Sequence, residues 1–101
     1  MLAFTWDDEN VAHLEEYHPE VSPDDVDSIW ELPTVRMANT RGRSGALFLG
    51  IDRHGRLLAV PADPTGQEGV WRPRTAHVAE SEWQRKAYYG IADEQPIGEE
   101  S

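Results

Sequence analysis

The chain of 101 residues contains no cysteine. This absence excludes disulfide bridges, catalytic thiols and cysteine-ligated zinc, so packing and polar contacts must hold the fold together. No apolar run approaches the ~20 residues that a membrane-spanning helix needs. The first residues also lack the basic and apolar regions of a secretory signal. We therefore expect a cytoplasmic protein.

Positive charge is missing from the first third of the chain. Ten acidic residues and no lysine or arginine fall between Met1 and Glu31, whereas all nine basic residues lie between residues 32 and 92. The net charge of −10 argues against nucleic-acid binding by the whole surface, because lysine and arginine drive phosphate binding. This asymmetry predicts two surfaces with different partners, the alternative being that the acidic helices only provide solubility.

Hydrophobic periodicity predicts an α+β fold. A short strand over 2–6 precedes a helix from Asp7 or Asp8 to about Tyr17, and Ser22-Pro23-Asp24-Asp25 is a typical start for a second helix that closes at Leu32-Pro33. Four apolar runs then predict an antiparallel meander, at residues 34–38, 46–51, 56–62 and 70–75. A last helix is predicted from Ala79 to about Tyr89, so the helices are segregated from the sheet.

The length suits one domain, which we place at residues 1–90. Residues 91–101 are acidic and have too little apolar content to pack, which predicts a disordered tail. The tryptophans have apolar neighbours and are expected in the core, at Trp6, Trp30, Trp71 and Trp83.

Motifs of most enzyme classes are missing as well. The chain has no glycine-rich phosphate loop, dinucleotide fingerprint, HExxH or GxSxG. Arg41-Gly42-Arg43-Ser44-Gly45 is not followed by a predicted helix and is interpreted as a turn. His13 and His18 are five residues apart and therefore do not share a helix face. We predict no metal site and no cofactor.

Several short motifs follow one another in an order typical of a known family. They are Phe4-Thr5-Trp6-Asp7, Ser22-Pro23-Asp24-Asp25-Val26, Gly55-Arg56-Leu57-Leu58 and Arg72-Pro73-Arg74-Thr75-Ala76-His77. Over about residues 4–89 the chain resembles the BrnT family of bacterial toxins. The resemblance implies a RelE-like fold, metal-free cleavage of RNA or ribosome-bound mRNA that slows translation, and a cognate BrnA-like antitoxin as partner. Two departures are His77, where the family usually has an arginine, and the acidic net charge.

The residues themselves can be tested against this chemistry. Metal-free RNA cleavage needs a base, an acid and cations that stabilise the phosphorane. Arg72 and Arg74 share a face of their predicted strand, and the imidazole of His77 can exchange protons near neutral pH. We predict four catalytic residues, Arg74, His77, Glu82 and Tyr88. We predict four RNA-binding residues on one positive surface, Arg43, Arg56, Arg72 and Arg85. The alternative is that the arginines are solvated and the tyrosines pack with a polar tip.

Three hypotheses about function follow from different classes of protein. The first is a ribonuclease toxin sequestered by its antitoxin. The second is the same fold with catalysis lost, acting only through a protein partner. The third treats the acidic helices as the functional surface, which would mimic nucleic acid or engage a basic protein.

Overall fold

The computed structural model describes residues 2–38 and 45–94, without the side chains of 91–94. The helices are α1 (Asp8–Tyr17), α2 (Pro23–Asp27), which continues into a 3-10 helix (Ser28–Glu31), and α3 (Glu82–Glu94). The strands are β1 (Ala3–Phe4), β2 (Val35–Ala38), β3 (Ala46–Ile51), β4 (Leu57–Pro64), β5 (Val70–Pro73) and β6 (His77–Val78). The α+β class predicted from the sequence is confirmed.

Two capping boxes set the starts of the first two helices. The carboxylate of Asp7 accepts a hydrogen bond from the backbone N–H of Asn10, whose side-chain oxygen accepts from the N–H of Asp7. Ser22 and Asp25 make the same reciprocal pair at α2. Each box satisfies backbone donors that a helix start leaves free, and loss of such a cap costs about 1 kcal/mol.

The sheet has the strand order β1-β5-β4-β3-β2, and β6 also pairs with β4. Strands β2 to β5 form the predicted antiparallel meander. The sheet as a whole is mixed, because β1 runs parallel to β5, with Ala3 opposite Val70 and Phe4 opposite Trp71. The fully antiparallel sheet expected from the sequence is therefore corrected at this edge.

Side chains of the central strands alternate between two cores, one on each face of the sheet. On one face Phe48 and Leu58 pack with Leu14 of α1 and Ile29 of the 3-10 helix. A Cβ at Gly50 would lie 2.8 Å from Cβ of Ile29, so only glycine permits this close approach. On the other face, a second buried cluster includes Leu49, Leu57, Ala59 and Tyr88. The helices therefore cover both faces, with α1 and α2 on one and α3 on the other.

The last helix differs from its prediction in both bounds and in the side that packs on the sheet. It begins at Glu82 and not at Ala79. Trp83 is 51% exposed, so its assignment to the core is wrong. The side of α3 that packs on the sheet is that of Ala87 and Tyr88. The four-residue spacing of Trp83 and Ala87 did not show which of the two residues faces the sheet. The helix also continues beyond Tyr89 to Glu94. Gly90 does not end it, because a glycine costs a helix only ~1 kcal/mol and still donates its backbone hydrogen bond.

The other three tryptophans are half-buried and pack against the first core, at Trp6, Trp30 and Trp71. Among residues 2–38 and 45–94, no helix is both long enough and apolar enough to span a membrane.

Candidate functional site

Three residues predicted for the site follow one another along one edge of β4. Arg72 lies opposite Asp63, and His77 lies opposite Ala59. Between them, the backbone N–H of Arg74 donates to the carbonyl oxygen of Pro61 at 2.8 Å. The structure therefore brings Arg72, Arg74 and His77 to one edge, although Arg74 falls just after β5 rather than within it.

A β-bulge interrupts this edge. Pro73 is opposite Ala62 and His77 is opposite Ala59, so three residues of the outer chain face only two of β4. Arg72 and His77 are five positions apart, and a regular strand would place them on opposite faces. The extra residue places Arg72 and His77 on the same face of the sheet. Arg72 is opposite Asp63 and His77 is opposite Ala59, and these two residues of β4 are four positions apart, so their side chains share a face.

A second imidazole lies next to His77. The ring centroids of His18 and His77 are 5.7 Å apart, with an angle of 36° between the ring planes. His18 is the C-terminal cap of α1, its backbone N–H donates to Leu14, and its Nδ1 is 3.9 Å from a carboxylate oxygen of Glu20. Sequence reasoning set aside a metal site at His13 and His18 and did not pair His18 with His77. The sole signal was Pro19, which marks His18 as the residue leaving the helix.

Arg74 has an incompletely satisfied guanidinium group. Its Nε lies 3.6 Å from a carboxylate oxygen of Asp63, which is too long for a hydrogen bond. Within the described part of the chain, this Nε is buried and has no hydrogen-bond partner. The side chain as a whole is 22% exposed, so a phosphate oxygen can approach this guanidinium group although its Nε is buried. We call Arg74, His77 and His18 the histidine edge.

Arg72, in contrast, is bound to the start of α1. Its guanidinium donates to Asp7 at 2.8 Å and to Glu9 at 3.0 Å. The hydrogen bond between Arg72 and Asp7 raises the pKa of Arg72 and lowers the pKa of Asp7. The chain's own carboxylates therefore already compensate this positive charge.

Arg56 lies elsewhere, in the hairpin between β3 and β4. Its guanidinium donates to Asp52 at 2.9 Å, to Asp25 at 3.0 Å and to the carbonyl oxygen of Glu20 at 2.9 Å. Burial lowers the pKa of Arg56, but the two carboxylates outweigh this effect and raise it above the ordinary value.

Asp25 is the centre of this second group of charges and is only 5% exposed. Nε of Arg53 lies 2.8 Å from its carboxylate and Nε2 of His54 lies 3.0 Å from it. Burial raises the pKa of Asp25, yet hydrogen bonds from Ser22 and Arg53 lower it to about 2. We call this group, Asp25, Asp52, Arg53, His54 and Arg56, the Asp25 cluster.

The predicted site residues of α3 occupy three different environments. The buried hydroxyl of Tyr88 donates to the carbonyl oxygen of Pro33 at 2.8 Å, and burial raises its pKa. Glu82 is exposed, with a carboxylate oxygen 3.4 Å from Nζ of Lys86. The guanidinium of Arg85 lies 5.9 Å from the ring centroid of Tyr89. Arg43 lies outside the described residues.

Neither a search for metal sites nor a comparison with known proteins identifies a function. In the described ranges, no group of three histidine, aspartate or glutamate side chains could hold a metal ion. A scan against protein-family models and searches of curated proteins and of solved structures found no protein that matches this chain. The function of the histidine edge must therefore be inferred from its own geometry.

Proposed function

We propose that the chain is a BrnT-like toxin, a metal-independent endoribonuclease whose two proton transfers are made by His18 and His77. The observation that carries the proposal is the 5.7 Å contact between the two imidazole rings, on the edge of β4 that also holds Arg74. Both rings are half-buried, so a ligand has access to them while the surrounding chain restricts their orientation.

The chemistry needs one base, one acid and one cation. In RNA cleavage the 2′-oxygen attacks the neighbouring phosphorus, the bond from phosphorus to the 5′-oxygen breaks, and a 2′,3′-cyclic phosphate and a 5′-hydroxyl are formed. A neutral imidazole accepts the proton of the 2′-hydroxyl, and a protonated imidazole donates one to the leaving oxygen. Arg74 bonds to Pro61 of β4, two residues from Ala59, which is opposite His77. At ~3.4 Å per residue this separates the two positions by about 7 Å along β4, and the role of Arg74 is to stabilise the phosphorane.

The biological partners in this proposal come from the order of the sequence motifs. A BrnT-like toxin would cut RNA, including ribosome-bound mRNA, inhibit translation and be neutralised by a cognate antitoxin. Induction in a bacterial host should then arrest growth, and coexpression of a cognate antitoxin should relieve the arrest.

One observation favours a second candidate, a catalytically inactive binding module. Arg56 and Arg72 are both held by carboxylates of the chain itself. Incoming phosphates would compete with these carboxylates, which weakens RNA binding. In this alternative the domain acts only through a protein partner.

Cleavage of an end-labelled RNA by the purified protein in the presence of EDTA separates the two candidates. We expect 2′,3′-cyclic phosphate products, a bell-shaped pH dependence, and a loss of ~10²–10⁴-fold in rate for His18→Gln and for His77→Gln. His13→Gln is the matched control, because His13 is exposed on the same helix. A folded wild-type protein that never cleaves RNA at any pH, with or without ribosomes, would contradict the ribonuclease proposal and favour the binding module.

A further inference from the structure

The connection between β4 and β5 forms an open concave surface. A cavity of about 320 Å³ is lined by Pro64 and residues 66–71. This volume lies at the lower end of the range for ligand pockets, about 300–1,000 Å³, and suits a small ligand.

One wall of the cavity is a fixed aromatic ring. The half-buried Trp71 meets Phe48 edge to face, with ring centroids 5.2 Å apart and an angle of 75° between the planes. Pro64 lies directly opposite Trp71 in the sheet. The guanidinium of Arg36 is 5.6 Å from the centroid of the Trp71 ring. An immobilised indole next to a cation is a surface on which a nucleobase stacks at little entropic cost.

The loop adds polar groups to this apolar wall. Gln67 and Glu68 line the cavity and are exposed. A carboxylate accepts hydrogen bonds but cannot donate them, so Glu68 favours a base with an exocyclic amino group, such as the N4 amino group of cytosine.

The cavity and the histidine edge lie at two positions along the same strand, β4. Trp71 is opposite Pro64 and His77 is opposite Ala59, which separates them by about 17 Å along β4 at ~3.4 Å per residue. Arg72 and Arg74 lie between them. Pro64 and Ala59 are an even-numbered and an odd-numbered residue of β4, so the side chains of Trp71 and His77 leave opposite faces of the sheet. A single strand that contacts both sites must therefore cross this edge of the sheet, next to Arg72 and Arg74.

We infer that the cavity at Trp71 binds one unpaired, amino-bearing nucleobase of the RNA substrate. The inference rests on the proposed function and adds a base preference to it. The RNA would be read a few nucleotides away from the bond that is cut, with cytosine preferred to uracil because uracil carries a carbonyl oxygen where cytosine carries its amino group.

The test is an NMR titration of the ¹⁵N-labelled protein with CMP and with UMP. We expect CMP to shift the indole resonance of Trp71, assigned with Trp71→Phe, and the amides of residues 66–70, with UMP binding about tenfold more weakly. Glu68→Gln should remove this preference. Glu80→Gln, an exposed carboxylate in the connection before α3, is the matched control and should retain it.

His77→Gln separates the two proposals, because this variant should lose cleavage and still bind CMP at Trp71. Equal binding of CMP and UMP, or shifts confined to residues away from 64–71, would overturn the inference even if the wild-type protein cleaves RNA. Binding of CMP at Trp71 by a protein that never cleaves RNA would support the cavity and overturn only the catalytic role.

Discussion

The Asp25 cluster and the histidine edge both contain arginine and histidine, and they differ in how completely these side chains are paired with carboxylates. In the cluster, three basic side chains lie within 3.0 Å of one buried carboxylate. At the edge, Nε of Arg74 has no hydrogen bond with any described residue, and two histidines lie ring against ring. Arginine, histidine and aspartate therefore do not by themselves mark a functional site in this molecule.

The difference in pairing has opposite consequences for stability and binding. Removing one partner from a buried, saturated group leaves an uncompensated charge, so the cluster should matter mainly for folding. Arg74 makes only a loose ion pair and its side chain is 22% exposed, so a ligand phosphate can approach its guanidinium group. We therefore expect substitutions in the cluster to change stability and substitutions at the edge to change activity.

The largest expected effect is on catalysis. Arg74→Ala should lower the rate of RNA cleavage by ~10²–10³-fold, since it removes one donor aimed at the developing charge. The melting temperature should change little, because Arg74 makes only a loose contact with Asp63. Rates and melting curves of Arg74→Ala should be measured beside Lys86→Ala, an exposed control on α3. Unfolding of Arg74→Ala would show that the edge, like the cluster, is structural.

The largest expected effect on stability is in the Asp25 cluster. Asp25→Asn should lower the free energy of unfolding by about 3 kcal/mol, because it removes the buried carboxylate that holds the hairpin against α2. Asp24→Asn is the matched control, since Asp24 is the neighbouring, exposed acid of the same helix. Urea unfolding of both variants measures the contrast. Equal losses would mean that the helix start, and not the cluster, responds to the charge.

The same carboxylate predicts how stability depends on pH. The pKa of Asp25 is about 2 in the folded protein against an ordinary value of 3.8, a difference of roughly 2 kcal/mol at 1.36 kcal/mol per pH unit. Because the folded-state value is the lower one, this stability is complete above about pH 5 and disappears as the pH falls from 4 to 2. Unfolding at pH 7, 4 and 2.5 should show a smaller acid loss in Asp25→Asn than in the wild type.

Features with a local cause were predictable from the sequence. The capping box of Ser22 and Asp25 and the turn Asp52-Arg53-His54-Gly55 depend on residues within four positions of one another. Both appear in the structure where the pattern placed them, and Gly55 adopts a φ of +82° that favours glycine. The four strands of the meander were found for the same reason.

Features that join distant residues were not predictable. The parallel pairing of Ala3 with Val70 and the contact of His18 with His77 connect positions more than fifty residues apart. A bulge interrupts the two-residue alternation of a strand and cannot be located from the sequence pattern. The common face of Arg72 and His77 therefore became visible only from the strand pairing in the structure. The sequence did place Arg72, Arg74 and His77 near one another, because they lie in one short segment.

The smallest expected effect concerns Arg72, which borders the edge but is paired like a member of the cluster. Its partners Asp7 and Glu9 are 48% and 88% exposed, and exposed pairs contribute about 0–1 kcal/mol. Arg72→Ala should therefore change the free energy of unfolding by less than about 1 kcal/mol. The number of counterions released on RNA binding, measured from its salt dependence, should fall by about one.

Glu9→Gln should strengthen RNA binding, because it releases Arg72. Glu16→Gln removes the same charge from an exposed position of α1 and should strengthen binding less. A loss of stability in Arg72→Ala as large as that of Asp25→Asn would show that exposure does not separate the two regions, and that both serve the fold.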